Sequence, residues 1–202
     1  MKIIYFMRHS EALKPVNMNN SDSLQIQNEK WGLTIEGEKL AKEKSKQVEF
    51  NSFDVVISSN YVRAIATAKY FTKDEIYIDE RFGERKFGIN SWNEKPKDFG
   101  ERQFNDFNYK MPNGESLNDV ICRESEALTE VLNNFSDKKI LIVGHSTALA
   151  SLFSKWCEIG YTDGYKFKGK VFFDGVWEHC ETFKLTFDDN NNLVNIENIK
   201  NN

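Results

Sequence analysis

The chain is poor in the residues that build disulfide frameworks and metal clusters. Cys122, Cys157 and Cys180 are its only cysteines, widely spaced and odd in number. This argues against a disulfide-stapled scaffold and for a reducing compartment, with the thiols in or near the core. Only three histidines occur, His9, His145 and His179, and His179-Cys180 is a lone adjacent pair. No Cys/His or carboxylate set has ligand spacing, so no resident metal and no cofactor are expected. Long apolar runs are missing as well. The run at the amino terminus, Ile3 to Met7, is five residues long and ends at Arg8-His9. That is too short for the apolar stretch of a secretory leader. Nothing approaches the ~20 residues needed to span a bilayer. Neither sign of charge dominates: 27 Lys and Arg against 31 Asp and Glu leave a net charge of -4. Such a chain has no global pull toward nucleic acid or an anionic membrane. A cytoplasmic protein is expected, and an anionic small substrate would need a local basic pocket. Internal repeats are absent, and the oligomeric state cannot be read.

A length of 202 residues allows one domain with a sizeable core and an inserted cap. Strand and helix patterns alternate. Ile3 to Met7 reads as a buried strand, and Thr34 can cap a helix from Glu36 to Val48, with Leu40, Ala41 and Val48 on its apolar side. Phe53 to Ser58 is a strand, Tyr61 to Phe71 a helix and Ile76 to Ile78 a third strand. Glu115 to Phe135 carries Leu128, Val131, Leu132 and Phe135 at helical spacing. Ile140 to Val143 is the next strand and Thr147 to Trp156 the next helix. Thr182 to Phe187 and Leu193 to Ile199 alternate on either side of the turn Asp188 to Asn192, which predicts a hairpin. The expected fold is α/β: a three-layer sandwich around a mostly parallel sheet, with an antiparallel edge from the C-terminal hairpin. Two stretches fall outside the alternation. Arg81 to Pro112 is aromatic and charged without a clean period, and reads as a cap spanning about 81–116. Gly160 to His179 reads as a smaller irregular flank, and Asn17 to Asn28 as a polar loop.

His9 and His145 each follow an apolar strand and precede a helix, where open α/β sheets place their ligands. Arg8 stands beside His9, and Arg63 lies in the first turn of the helix behind the second strand. A phosphomonoester dianion calls for positive charge on its nonbridging oxygens, and the planar guanidinium fork matches that need. A solvated surface arginine is the bland reading of Arg63 alone. Its position after a strand end, beside the other two, favours phosphate binding, as does the start of its helix. His9 is then the candidate nucleophile, kept neutral by its positive neighbours. His145 would donate a hydrogen bond to the phosphoryl group in flight. The leaving alkoxide needs a proton from a carboxylic acid. Glu84 follows the third strand at the mouth of the cap; on position alone it is a surface glutamate.

These residues together resemble the histidine phosphatase superfamily, in the branch that holds phosphoglycerate mutases and small-molecule phosphatases. The family's Arg-His-Gly motif appears as Arg8-His9-Ser10, and its Leu-Thr-x-x-Gly segment as Leu33 to Gly37. Its Ser-x-x-x-Arg-Ala-x-x-Thr-Ala helix appears as Ser59 to Ala68. Glu84 to Gly88 matches its Glu-x-x-x-Gly acid segment, Pro112 to Ser116 its Pro-x-Gly-Glu-Ser segment, and His145 its second histidine. The resemblance implies a phosphoglycerate mutase-like fold and a metal-independent phosphomonoesterase of the histidine acid phosphatase kind. It implies His9 as phosphohistidine, Glu84 as general acid and base, and Arg8, Arg63 and His145 as the phosphate ligands. A small phosphorylated compound is the implied substrate. Three departures stand out. Ser10 and Ser146 replace glycines, and Pro15 stands where an Asn often contacts phosphate, with Asn17 out of register.

Other readings remain open. Mutase-type phosphoryl transfer competes with hydrolysis, although the cap carries no adjacent basic pair beyond Arg85-Lys86. An inactive relative could bind a phosphorylated ligand. Gly144 to Ala148 also resembles an esterase nucleophile elbow, with Ser146 attacking and Asp174 and His179 completing a triad. That reading leaves Arg8, His9, Arg63 and Glu84 without a purpose.

Overall fold

The computed structural model describes residues 1–14, 22–135, 137–161 and 164–200. The chain runs from β1 (Lys2–Arg8) through α1 (Leu24–Lys30) and α2 (Ile35–Lys44) to β2 (Val55–Ser58). Next come α3 (Val62–Ala68), β3 (Ile76–Ile78), α4 (Phe99–Asn105) and the long α5 (Leu117–Asn134). β4 (Lys139–Gly144) and α6 (Ser146–Phe153) complete the alternating part. A small hairpin, β5 (Tyr165–Phe167) and β6 (Lys170–Phe173), precedes β7 (Thr182–Phe187) and β8 (Leu193–Ile199). Six strands form the central sheet in the order β3-β2-β4-β1-β7-β8. The first four are parallel; β7 runs antiparallel to β1, and β8 to β7. The expected α/β sandwich with an antiparallel edge is thus the fold. No helix among the described residues is long and apolar enough to cross a membrane.

Strand alternation builds two cores. Ile4, Phe6, Ile57, Ile140 and Ile142 point to one face and pack with Leu128, Leu132, Leu149 and Phe153 of α5 and α6. Tyr5, Met7, Val56, Leu141 and Val143 point to the other, against Ala41, Ala64 and Ala68 of α2 and α3. Caps set where the helices begin. Thr34 accepts the Gly37 amide at the start of α2. Ser116 and Asp119 form a reciprocal capping box on α5.

Several boundaries differ from the sequence pattern. α2 ends at Lys44, and Val48 sits in a separate short turn with its side chain exposed, so it adds nothing to the apolar face. α3 stops at Ala68, three residues before Phe71, and α6 at Phe153. The polar stretch Asn17 to Asn28, expected as a loop, is helical from Leu24 where α1 begins, and its residues 17–21 lie outside those described. The flank from Gly160 is not irregular throughout, because the β5–β6 hairpin lies within it. Cys157 and Cys180 are buried as expected, whereas Cys122 is exposed. Within 81–116 the chain carries two short turns and α4, knitted by contacts among Phe87, Trp92, Phe99 and Tyr109. Its two ends meet where the Glu115 amide donates to the Lys86 carbonyl at 2.8 Å.

Candidate active site

Register brings the strand ends together. Arg8 of β1 pairs with Gly144 of β4, and Ser58 of β2 with Val143. His9, His145 and Ser59 therefore leave the sheet side by side, in the crevice beyond its carboxyl edge. The two imidazoles stand 5.1 Å apart. Arg63, in the first turn of α3, closes the third side. Its Nε donates to His9 Nε2 at 3.1 Å, and its Nη1 to the Asn28 carbonyl at 2.6 Å. Its Nη2 lies 3.4 Å from His145 Nδ1. Arg8 donates through Nη1 to the Trp177 carbonyl at 2.6 Å. His9, Arg63 and His145 are thus in contact, and the Arg8 charge acts on His9 and Arg63.

The protonation of His9 follows from its neighbours. Its Nδ1 lies 2.6 Å from the Ser10 carbonyl, which only accepts, so Nδ1 carries the hydrogen. The lone pair is left on Nε2, the nitrogen that faces Arg63. Burial, then the Arg63 charge, and then Arg8 and His179 hold the His9 pKa well below the ordinary imidazole value, against the pull of the Ser10 carbonyl. His145 is depressed in the same direction, by burial first and then by Arg63 and His9. Both rings are thus held toward the neutral form, and His9 Nε2 carries a lone pair that accepts from Arg63.

Backbone amides hold the Glu84 carboxyl. Oε1 accepts the Arg85 amide at 2.8 Å and the Ala148 amide at 3.1 Å, while Oε2 accepts the Thr147 amide at 3.3 Å. Thr147 and Ala148 supply two of the free amides of the first turn of α6. One helix start therefore carries His145 at its cap and grips the acid in its first turn. A cavity of about 180 Å³ opens beside the acid, lined by Glu29, Tyr61, Glu84, Lys86 and Arg123 among others.

A family model, the histidine phosphatase superfamily (branch 1), matches residues 4–194. The chain belongs to this superfamily. It is 29% identical over 127 residues to a protein of Bacillus subtilis (strain 168) described as the uncharacterized phosphatase PhoE. That match covers 61% of this chain and 63% of the relative, so it spans under two thirds of the relative's length. A mycobacterial glucosyl-3-phosphoglycerate phosphatase, solved with VO3, shares the fold with a TM-score of 0.70 and 16% identity, over 92% of this chain and 93% of its own. A phosphoserine phosphatase mutant of Entamoeba histolytica, solved with phosphoserine, gives 0.65 and 17%, over 98% and 97%.

The departures from the family motifs fall into place in part. The Ser10 hydroxyl is buried and donates to the Gly37 carbonyl at 2.7 Å, on the side of α2, so it does not occupy the space beside His9 Nε2. Pro15 and Asn17 lie outside the described residues. The esterase triad is not assembled: Asp174 pairs with Lys200 and accepts the Val176 amide, and no hydrogen bond joins it to His179 among the described residues.

Sequence reading missed other members of the site. Ser59 is fully buried, and its Oγ lies 2.8 Å from His145 Nε2. Tyr61 is 2% exposed, with its ring 4.5 Å from that of His145 and 4.6 Å from the Arg63 guanidinium carbon. Trp31 lies on the other approach to Arg63, at 5.8 Å. Ser59 opens the Ser59 to Ala68 motif, so its place after β2 is a usable signal. Tyr61 and Trp31 gave none, because aromatic residues at such positions are ordinary core.

Proposed function

We propose that the chain is a phosphatase that hydrolyses a small phosphomonoester through a phosphohistidine on His9. The observation that carries this reading is the His9 ring, with Nδ1 tied to the Ser10 carbonyl and Nε2 turned to Arg63 beside His145. Nε2 attacks phosphorus, and the bond from phosphorus to the ester oxygen breaks. Arg8, Arg63 and His145 hold the nonbridging oxygens as charge spreads over them. Glu84 gives its proton to the leaving alkoxide. Water then attacks the phosphohistidine, Glu84 takes the proton from that water, and inorganic phosphate leaves. Two guanidiniums and two imidazoles meet the phosphate charge, so no metal enters the scheme.

Segment 81–116 acts as the cap of a single domain and selects the leaving group. Three unpaired thiols suit a reducing cytoplasm. The family membership and the phosphatase neighbours support hydrolysis over mutase transfer. A screen of small phosphomonoesters, including phosphoserine and sugar phosphates, should yield inorganic phosphate in the presence of a chelator. Rapid mixing and an alkaline quench should trap phosphate on the peptide containing His9, and His9→Ala should abolish both signals. Label on serine or aspartate, or activity that depends on one divalent ion, would sink the scheme.

A further inference from the structure

Tyr61 meets Arg63, His145 and the Glu84 backbone, yet no step of the reaction uses it. It is the N-cap of α3, but its side chain does not cap the helix. Instead its hydroxyl accepts the Gln25 amide of α1 at 2.8 Å and donates to the Glu84 carbonyl at 3.3 Å. Gln25 continues the chain of bonds to Glu29 at 2.8 Å. The ring packs against both the Arg63 guanidinium, at 4.6 Å, and the His145 imidazole, at 4.5 Å. Gly83, immediately before the acid, packs against this ring: a Cβ there would stand 3.1 Å from Tyr61 Cε2 and 2.9 Å from the Glu80 carbonyl. The acid segment thus reaches the ring because residue 83 has no side chain. One buried phenol touches the acid's backbone, the helix that seats Arg63, and both phosphate-facing groups.

We propose that Tyr61 is a positioning residue, whose hydroxyl staples α1 and the Glu84 segment to the Arg63–His145 pair and so sets the acid opposite His9. The catalytic half of this proposal rests on the phosphatase reading above. Removing only the hydroxyl leaves the ring on Arg63 and His145 but frees the acid segment. Proton delivery matters most for a poor leaving group, so the defect depends on the ester. The experiment compares Tyr61→Phe with the unsubstituted protein on an alkyl and a nitrophenyl phosphate, in burst kinetics, alone and with Glu84→Gln. Tyr61→Phe should cost about 3–10-fold more on the alkyl ester, the size of one hydrogen bond. With Glu84→Gln already present, that extra cost should vanish, since the two groups act in series. A purely structural tyrosine would slow both esters equally and add its full cost to Glu84→Gln; either result overturns the proposal. Amide hydrogen exchange reads the staple without turnover. It should quicken at Gln25 to Glu29 and at Glu84 to Lys86 and stay unchanged in α5. Unchanged exchange in both segments overturns the staple. Should the unsubstituted protein cleave neither ester, the phosphatase reading falls, and the exchange comparison still decides whether Tyr61 holds these segments.

Discussion

Glu84 accepts three backbone amides, which fix the orientation of its carboxyl. Glu84→Gln keeps the shape and removes the transfer. It should slow an alkyl phosphate by about 10²–10⁴-fold and a nitrophenyl phosphate far less, measured in the burst where phosphorylation limits. Equal losses on the two esters would reduce Glu84 to a phosphate-positioning group. Ser59 makes a second residue-scale case. A neutral His145 can donate to a phosphoryl oxygen from Nδ1 only as the Nδ1–H tautomer, which a hydrogen bond from Ser59 Oγ to Nε2, 2.8 Å away, would favour. Ser59→Ala should lower kcat by about 10-fold, the size of one stronger hydrogen bond, with little change in KM. The ring nitrogen shifts of His145 in ¹⁵N NMR should change with it; unaltered shifts would show the hydroxyl to be idle. At this scale the chemistry was legible where a charged or imidazole residue directly follows a strand, as with Arg8, His9 and His145. Ser59 showed only its place in a motif and Tyr61 nothing, because their roles depend on which side chain of another element they meet. The surroundings of Glu84 were illegible for the same reason: its amides come from Thr147 and Ala148, far along the chain.

Among the elements, those with clean periodicity were readable. The β7–β8 hairpin has the predicted limits at both strands, since alternation and a polar turn fix them locally. β5 and β6, only three and four residues long, carry lysines among their aromatics and lack the unbroken apolar run that marks β3. α1 and α4 were hidden in the same way, as seven-residue helices with polar or mixed faces. What holds the 81–116 segment is a pair of close backbone passes. Gly88 has φ of 69°, and a Cβ there would stand 2.0 Å from the Gly114 amide nitrogen. Neither the left-handed backbone nor the clash can be relieved by a side-chain rotation. Gly88→Ala should therefore cost about 1–3 kcal/mol, as overpacking does. The melting temperature should fall, and protease should cut within 89–113 sooner than in α5. An unchanged melt with unchanged cleavage would mean that this crossing carries no strain.

For the molecule as a whole, the sequence pattern yielded the sheet and its two cores, but not the burial of the Glu124 carboxyl. Glu124 lies on α5 with no exposed surface, and neither carboxyl oxygen has a hydrogen-bond partner among the described residues. Its spacing from Val120, Ala127 and Leu128 would place an apolar residue there, so only the structure reveals the conflict. Burial raises its pKa well above the ordinary carboxyl value, with Glu84 and Glu115 pushing the same way and Arg123 opposing them. The sign follows from linkage. Below the unfolded pKa, about 4.3 for Glu, both states hold the proton and the site is neutral to stability. As pH rises past it, the unfolded chain ionises while the folded one keeps its proton, so stability falls until the folded pKa is reached. His9 and His145 act oppositely: their folded pKa values are depressed, so they cost stability as pH falls below about 6.5. Replacing Glu124 separates the two effects. Glu124→Met fills the same space without a charge. It should stabilise by about 1–3 kcal/mol at pH 8, where the carboxyl is an unmet polar group. That corresponds to roughly 2–4 °C in Tm for each kcal/mol. The gain should shrink toward pH 4.5, leaving a variant whose stability declines only on the acid side. Denaturant unfolding of both proteins from pH 4.5 to 8 measures the difference directly. A gain that stays constant with pH would show that Glu124 is ionised in the folded protein at neutral pH, and a loss would show that a partner satisfies it.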